Sequence, residues 1–138
     1  MSLRARLGFV FCVPFLLLAS LGSSGQEVPP NVWNLKGRDT AGWIWTAKLV
    51  FLEESNQGYF EWDSSGGASG REVFTYTYDE KTGKLRIEGE KIVDPQGNIT
   101  FATYSATLSK DGERLEKGRW WGPNVVPGTW SATRAKPE

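Results

Sequence analysis

From Trp43 to Phe51 every second residue is apolar: Trp43, Trp45, Ala47, Leu49 and Phe51 form one row, while the other row carries Thr46 and Lys48 among Ile44 and Val50. A period of two puts each row on one face of an extended chain, so this stretch predicts a strand with a buried face. The alternation returns downstream. Phe74, Tyr76 and Tyr78 share a face, as do Leu85, Ile87 and Gly89, and as do Ala102, Tyr104, Ala106 and Leu108. Opposite rows are polar, as in Arg86, Glu88 and Glu90 or Thr103, Ser105 and Thr107. Phe60 and Trp62 oppose Tyr59, Glu61 and Asp63 and are read as inward. In the last run Trp130, Ala132 and Arg134 share one face.

Glycine, proline and Asx residues punctuate these runs at 37–42, 54–58, 64–70, 79–83, 94–98, 110–112 and 122–128. Turns recurring about every 11 to 15 residues leave no room for intervening helices, so consecutive strands must be hairpins. The strands are predicted at 32–36, 42–53, 57–64, 71–79, 84–93, 98–109, 113–121 and 127–135. The fold class expected is all-β: a single antiparallel up-and-down β-barrel of about eight strands, closed by pairing the last strand with the first. A two-sheet sandwich could use the same alternation, but it needs a longer Greek-key connection and no loop here has that length.

The chain resembles the calycin-type barrels, the lipocalins and avidins, over residues 32–135, on eight sequential strands with Trp33 near the start and Arg134 near the end. In lipocalins a first-strand tryptophan packs under an arginine of the final strand, and Trp33 and Arg134 look like that pair. Their expected role is a cation–π closure of the barrel end. The resemblance to avidins lies in the tryptophan richness and in Arg71–Asp79, which is similar to an avidin central strand. An avidin-like biotin site would need Ser, Thr, Asn and Asp groups; the final strand supplies Ser131 and Thr133 but no Asp.

The domain occupies only part of the chain. Arg4 and Arg6 precede an apolar run from Leu7 to Leu21, and small residues follow, which is the layout of a secretory signal peptide over 1–25. The run falls short of the roughly 20 residues of a spanning helix, and Pro14 interrupts it. Cleavage is expected after Gly25, with Gly22 the alternative; Cys12 lies inside the apolar run, unlike a lipid-bearing cysteine. An extended lead-in (26–31), the barrel (32–135) and a short tail (136–138) make up the remainder. The product is expected to be secreted, or periplasmic in a bacterium.

Removing 1–25 takes away the one cysteine, and the chain has no histidine, so disulfides, Cys/His metal sites and His-based triads are excluded from the remaining 113 residues. No metal and no cofactor is expected. Losing Arg4 and Arg6 leaves 14 basic against 16 acidic residues, a net charge of −2. The bases form no run, which argues against nucleic acid and, after signal cleavage, against a membrane as partners. Carboxylate pairs at Glu61/Asp63 and Glu88/Glu90 lie on strand faces, but a solvated polar row explains them, and the protein is not expected to be an enzyme.

Seven tryptophans and four tyrosines are a heavy aromatic load. An eight-stranded barrel is either just filled by side chains or holds one small ligand. Trp43, Trp45, Phe74, Tyr76, Tyr104 and Trp130 are therefore either filling or the wall of a pocket for a small apolar or aromatic molecule. Trp120 and Trp121, being adjacent, face opposite ways, and one of them is expected near solvent, where it could serve a carbohydrate or protein partner. A ligand-free structural barrel is the third reading. Asn98-Ile99-Thr100 is a glycosylation sequon at a turn, and glycosylation of Asn98 is an expectation for a eukaryotic secretory route.

Overall fold

The computed structural model describes residues 32–136; the expected signal peptide and cleavage site, the expected lead-in and the last two residues of the tail lie outside the described residues. Eight strands follow one another: β1 (Val32–Asp39), β2 (Ile44–Phe51), β3 (Gln57–Ser64), β4 (Ser69–Asp79), β5 (Lys84–Gln96), β6 (Thr103–Leu108), β7 (Arg114–Trp121) and β8 (Gly128–Arg134). Each pairs antiparallel with the next, and β8 pairs with β1, so the sheet is a closed meander barrel with no helix among the described residues. Closure leaves no exposed sheet edge, and the inner rows share one interior. The eight-stranded antiparallel up-and-down barrel expected from the hairpin rhythm is what the chain forms.

The inner rows follow the sequence pattern. Ala47, Leu49 and Phe51 of β2, Phe60 and Trp62 of β3, Phe74 and Tyr76 of β4, and Leu85 and Ile87 of β5 are all buried. β7 departs from strict alternation, because Leu115 and Trp120 are an odd number of residues apart and yet both are buried. A bulge reconciles them: Lys117 takes φ 57°, the register with β8 slips between Leu115 and Gly118, and the extra residue returns Trp120 to the inside.

Three strands differ from the sequence expectation by three residues or more at one end, and the first of them, β1, continues to Asp39 where the turn is expected from Gly37. β5 runs on through Asp94-Pro95 to Gln96 where a turn was predicted. The register slips between Ser69/Arg71 and Asp94 takes φ 52°, so the proline sits in a bulge, where its missing N–H does no harm. β6 starts at Thr103, and 97–102 form a loop.

The two ends of the barrel differ. The β2–β3, β4–β5 and β6–β7 hairpins gather at one end with Trp33 and Arg134. These two residues are direct partners across the β1–β8 seam, with the guanidinium carbon 4.9 Å from the indole centroid. Arg134 also donates to the Gly112 carbonyl at 2.5 Å, tying the seam to the β6–β7 turn. Above this end Phe60 packs between Phe74 (5.0 Å), Trp62 (4.8 Å) and Tyr104 (4.6 Å), all centroid to centroid. That half of the barrel is filled.

Candidate ligand-binding site

The other end is open. The connections β1–β2, β3–β4, β5–β6 and β7–β8 ring a cavity of about 530 Å³ that reaches down to the Phe60 layer. Its wall is aromatic: Trp43, Trp45, Trp62, Tyr104 and Trp120 line it. Trp45 and Trp62 meet edge to face at 5.7 Å, and Trp62 in turn meets Trp120 at 6.0 Å. Trp43 stands at the rim, 48% exposed, and its ring lies against Gly66, where a Cβ would come within 2.7 Å of it.

Three of these indoles are fixed through their N–H groups, each by an acceptor of the protein. Trp45 donates to Asp39 Oδ2 (3.0 Å), Trp62 to Glu72 Oε1 (2.8 Å) and Trp120 to the Val126 carbonyl (2.9 Å). What these rings can offer the cavity is therefore carbon and π surface. Trp120 is held by close approach as well: Cβ atoms on Gly37 of β1 and Gly128 of β8 would fall 2.6 Å and 2.4 Å from its ring, so the two glycines make the recess it fills.

Asp39 and Glu72 are the two buried carboxyls of the described residues, and both line the cavity. Asp39 ends β1 and holds the next turn, accepting from the Ala41 and Trp43 amides at 2.9 and 3.0 Å while its other oxygen takes Trp45. Glu72, on β4, is fully buried. It accepts from the Trp62 indole, from the Tyr104 hydroxyl at 2.5 Å and from the Ala102 amide at 3.0 Å. Burial pushes its pKa up to about 7, and the three hydrogen bonds only partly oppose the shift. Beside Glu72 the Tyr104 phenol is raised well above its ordinary value, by burial first and then by the Glu72 carboxylate.

Gly89 of β5 makes room for this carboxyl: a Cβ there would stand 2.1 Å from Glu72 Oε2 and 2.9 Å from the Ala102 carbonyl. Gly89→Ala should therefore destabilise the barrel by about 2–3 kcal/mol, the range of a core overpacking change, as read from urea unfolding. A loss below 0.5 kcal/mol, as for an ordinary surface change, would show that the carboxyl moves aside freely.

Of the six residues singled out as pocket wall, Trp43, Trp45 and Tyr104 line the cavity. Phe74, Tyr76 and Trp130 do not; of the two roles open to them they take the filling one, in the core. Phe74 is fully buried against Phe60 and Phe51, Tyr76 reaches the Ser55 carbonyl at the closed end (3.3 Å), and Trp130 lies over Gly118 with its N–H on the Arg119 carbonyl (3.1 Å). The adjacent tryptophans face opposite ways. Trp120 is buried in the cavity wall, and Trp121 alone faces outward, with the Arg86 guanidinium 5.7 Å from its ring. Asn98 is exposed at the cavity mouth. The carboxylate pairs lie on the outer face, where Glu61 bonds Arg71, and Glu88 bonds Arg86 (2.6 Å) and Thr103 (2.8 Å).

The sequence pattern turns Trp62 inward without marking it as pocket wall, and it singles out neither Asp39 nor Glu72 as a site residue. The signal for Glu72 was present: stepping the Phe74–Tyr76–Tyr78 row back by two reaches it. The Trp33–Leu35 row, stepped on by two, likewise passes Gly37 to Asp39, but the turn expected from Gly37 hides it, and β1 continues through that stretch. Comparison of the chain with family models, with curated proteins and with solved structures finds no match.

Proposed function

We propose that this is an exported, lipocalin-like carrier or scavenger that holds one small apolar or aromatic molecule in the open half of the barrel. One observation carries the reading: the barrel is filled below Trp62 and Tyr104 but open above them, in a cavity of about 530 Å³ walled by aromatic side chains. That volume lies within the roughly 300–1,000 Å³ typical of small-molecule sites. A barrel built only as a scaffold would have no need of a tryptophan-lined opening. Export is supported by the arginines and apolar run at 4–21, and the exposed Asn98 is accessible enough to carry a glycan at the mouth. A carbohydrate or protein surface centred on Trp120 and Trp121 has less support, because the first ring is internal and leaves the second as a single exposed indole, with the Arg86 guanidinium 5.7 Å from it.

The neutral fluorophore N-phenyl-1-naphthylamine tests the pocket. Its emission should rise on mixing, with transfer from the wall tryptophans, and Trp45→Ala should weaken binding by about tenfold or more, as for an aromatic anchor. No enhancement with the intact protein, or equal binding by Trp45→Ala, would count against a pocket in this place.

A further inference from the structure

The charges around the cavity are one-sided. Asp39 and Glu72 line it, and no lysine or arginine does. Among the described residues neither carboxyl has a lysine or arginine within ion-pair distance. The nearest guanidinium on the rim strand, that of Arg38, turns to the Gly42 carbonyl at 3.4 Å. Every hydrogen bond that Asp39 and Glu72 accept comes from a neutral donor, an amide, an indole or a phenol. Two buried acids with no countercharge are costly, and a chain that merely needed an acceptor for an indole N–H had neutral side chains to choose from.

The indoles reinforce the asymmetry. A carboxylate that accepts an indole N–H polarises the ring and makes its π face more negative, and both Trp45 and Trp62 are held in this way. A cation over the face of a tryptophan is the best of the cation–π partners, and the gain is largest where water is excluded. Trp43, Trp45, Trp62, Tyr104 and Trp120 surround one space with the two acids behind them.

We propose that the occupant is an organic cation, an amine or quaternary ammonium carried on an apolar or aromatic body, held by the tryptophan faces and balanced by Asp39 and Glu72. This rests on the pocket reading above and adds the sign of the ligand's charge. An anion would meet two acids with nothing to pair with, and a neutral molecule would leave them uncompensated. A cation resolves both, and its arrival favours the ionised form of Glu72. The groups that face Glu72 are Trp62 from β3, Gly89 from β5 and, from the segment entering β6, the Ala102 amide and Tyr104, with Asp39 of β1 on the same cavity. Tyr104 is the one other titratable side chain in contact, and its raised phenol stays neutral.

Three compounds sharing a phenyl ring with a three-methyl head decide the matter: phenyltrimethylammonium, its neutral isostere tert-butylbenzene, and the para-carboxylate of the latter, 4-tert-butylbenzoate, each titrated by calorimetry and by displacement of N-phenyl-1-naphthylamine at pH 8. The cation should bind at least tenfold more tightly than the neutral isostere, and the benzoate least. Cation affinity should fall several-fold between pH 8 and pH 6, and Glu72→Gln should remove that dependence. If tert-butylbenzene or the benzoate equals or exceeds the cation, the charge assignment is wrong while the pocket stands. If none of the three binds and the fluorophore also fails, both readings fall. Should Glu72→Gln not fold, the three-compound comparison on the unaltered protein still decides.

Discussion

Phe60→Ala should lower the unfolding free energy by about 4 kcal/mol, and with it the melting temperature by about 20 °C for a domain of this size. Phe60 is fully buried at the layer where the filled half of the barrel gives way to the open half. It touches Trp62 and Tyr104 above and Phe74 beside it, and three large rings on a closed sheet cannot collapse into the hole it would leave. A domain stability of roughly 5–15 kcal/mol makes that a large fraction of the whole. Trp43→Ala is the control: its ring is half exposed at the rim, and its removal should cost under about 1 kcal/mol. Thermal and urea unfolding of the two variants measures the difference. If Phe60→Ala costs no more than Trp43→Ala, the layer under the cavity is not packed as described, and the filled half would no longer be a rigid floor for a ligand.

The same boundary explains what could be read from the chain and what could not. Strand rhythm and row polarity depend on the period of two, which is local, so Ala47–Phe51, Phe74–Tyr76 and Leu85–Ile87 all fall inside as expected. Which end of each inner row meets empty space depends on how eight rows stack, and that is not local. Trp130 and Trp120 look alike in the sequence, yet Trp130 is core and Trp120 is cavity wall. The bulge at Lys117 sets the inward placement of Trp120, and no Gly or Asx marks residue 117 itself as left-handed. The buried acids were harder still. A charged residue in an apolar row reads as an interruption until its donors are known, and those of Glu72 come from Trp62, Ala102 and Tyr104, between 10 and 32 residues away.

Glu72 should also write itself into the pH dependence of stability, in a direction opposite to the usual carboxylate. Its pKa is raised from an ordinary 4.5 to about 7 in the fold, so between these values the native state holds a proton that the unfolded chain has lost. Stability then falls as pH rises: the contribution is complete below about pH 4.5 and is lost as pH climbs through 7. At 1.36 kcal/mol per unit the loss between pH 4.5 and pH 8 is about 3 kcal/mol. The window is otherwise quiet, because the chain has no histidine. Glu88 and Asp111, whose pKa values are lowered, act on the acid side of it with the opposite sign. Urea unfolding at half-unit steps from pH 4.5 to pH 8 should show the decline in the ligand-free protein. Glu72→Gln should flatten the profile, at the expense of one unmet donor among Trp62, Tyr104 and Ala102 and hence a uniform loss of about 1–3 kcal/mol. A flat profile for the unaltered protein would mean that Glu72 is ionised at ordinary acidity despite its burial. A decline that survives in Glu72→Gln would assign the titration to another group.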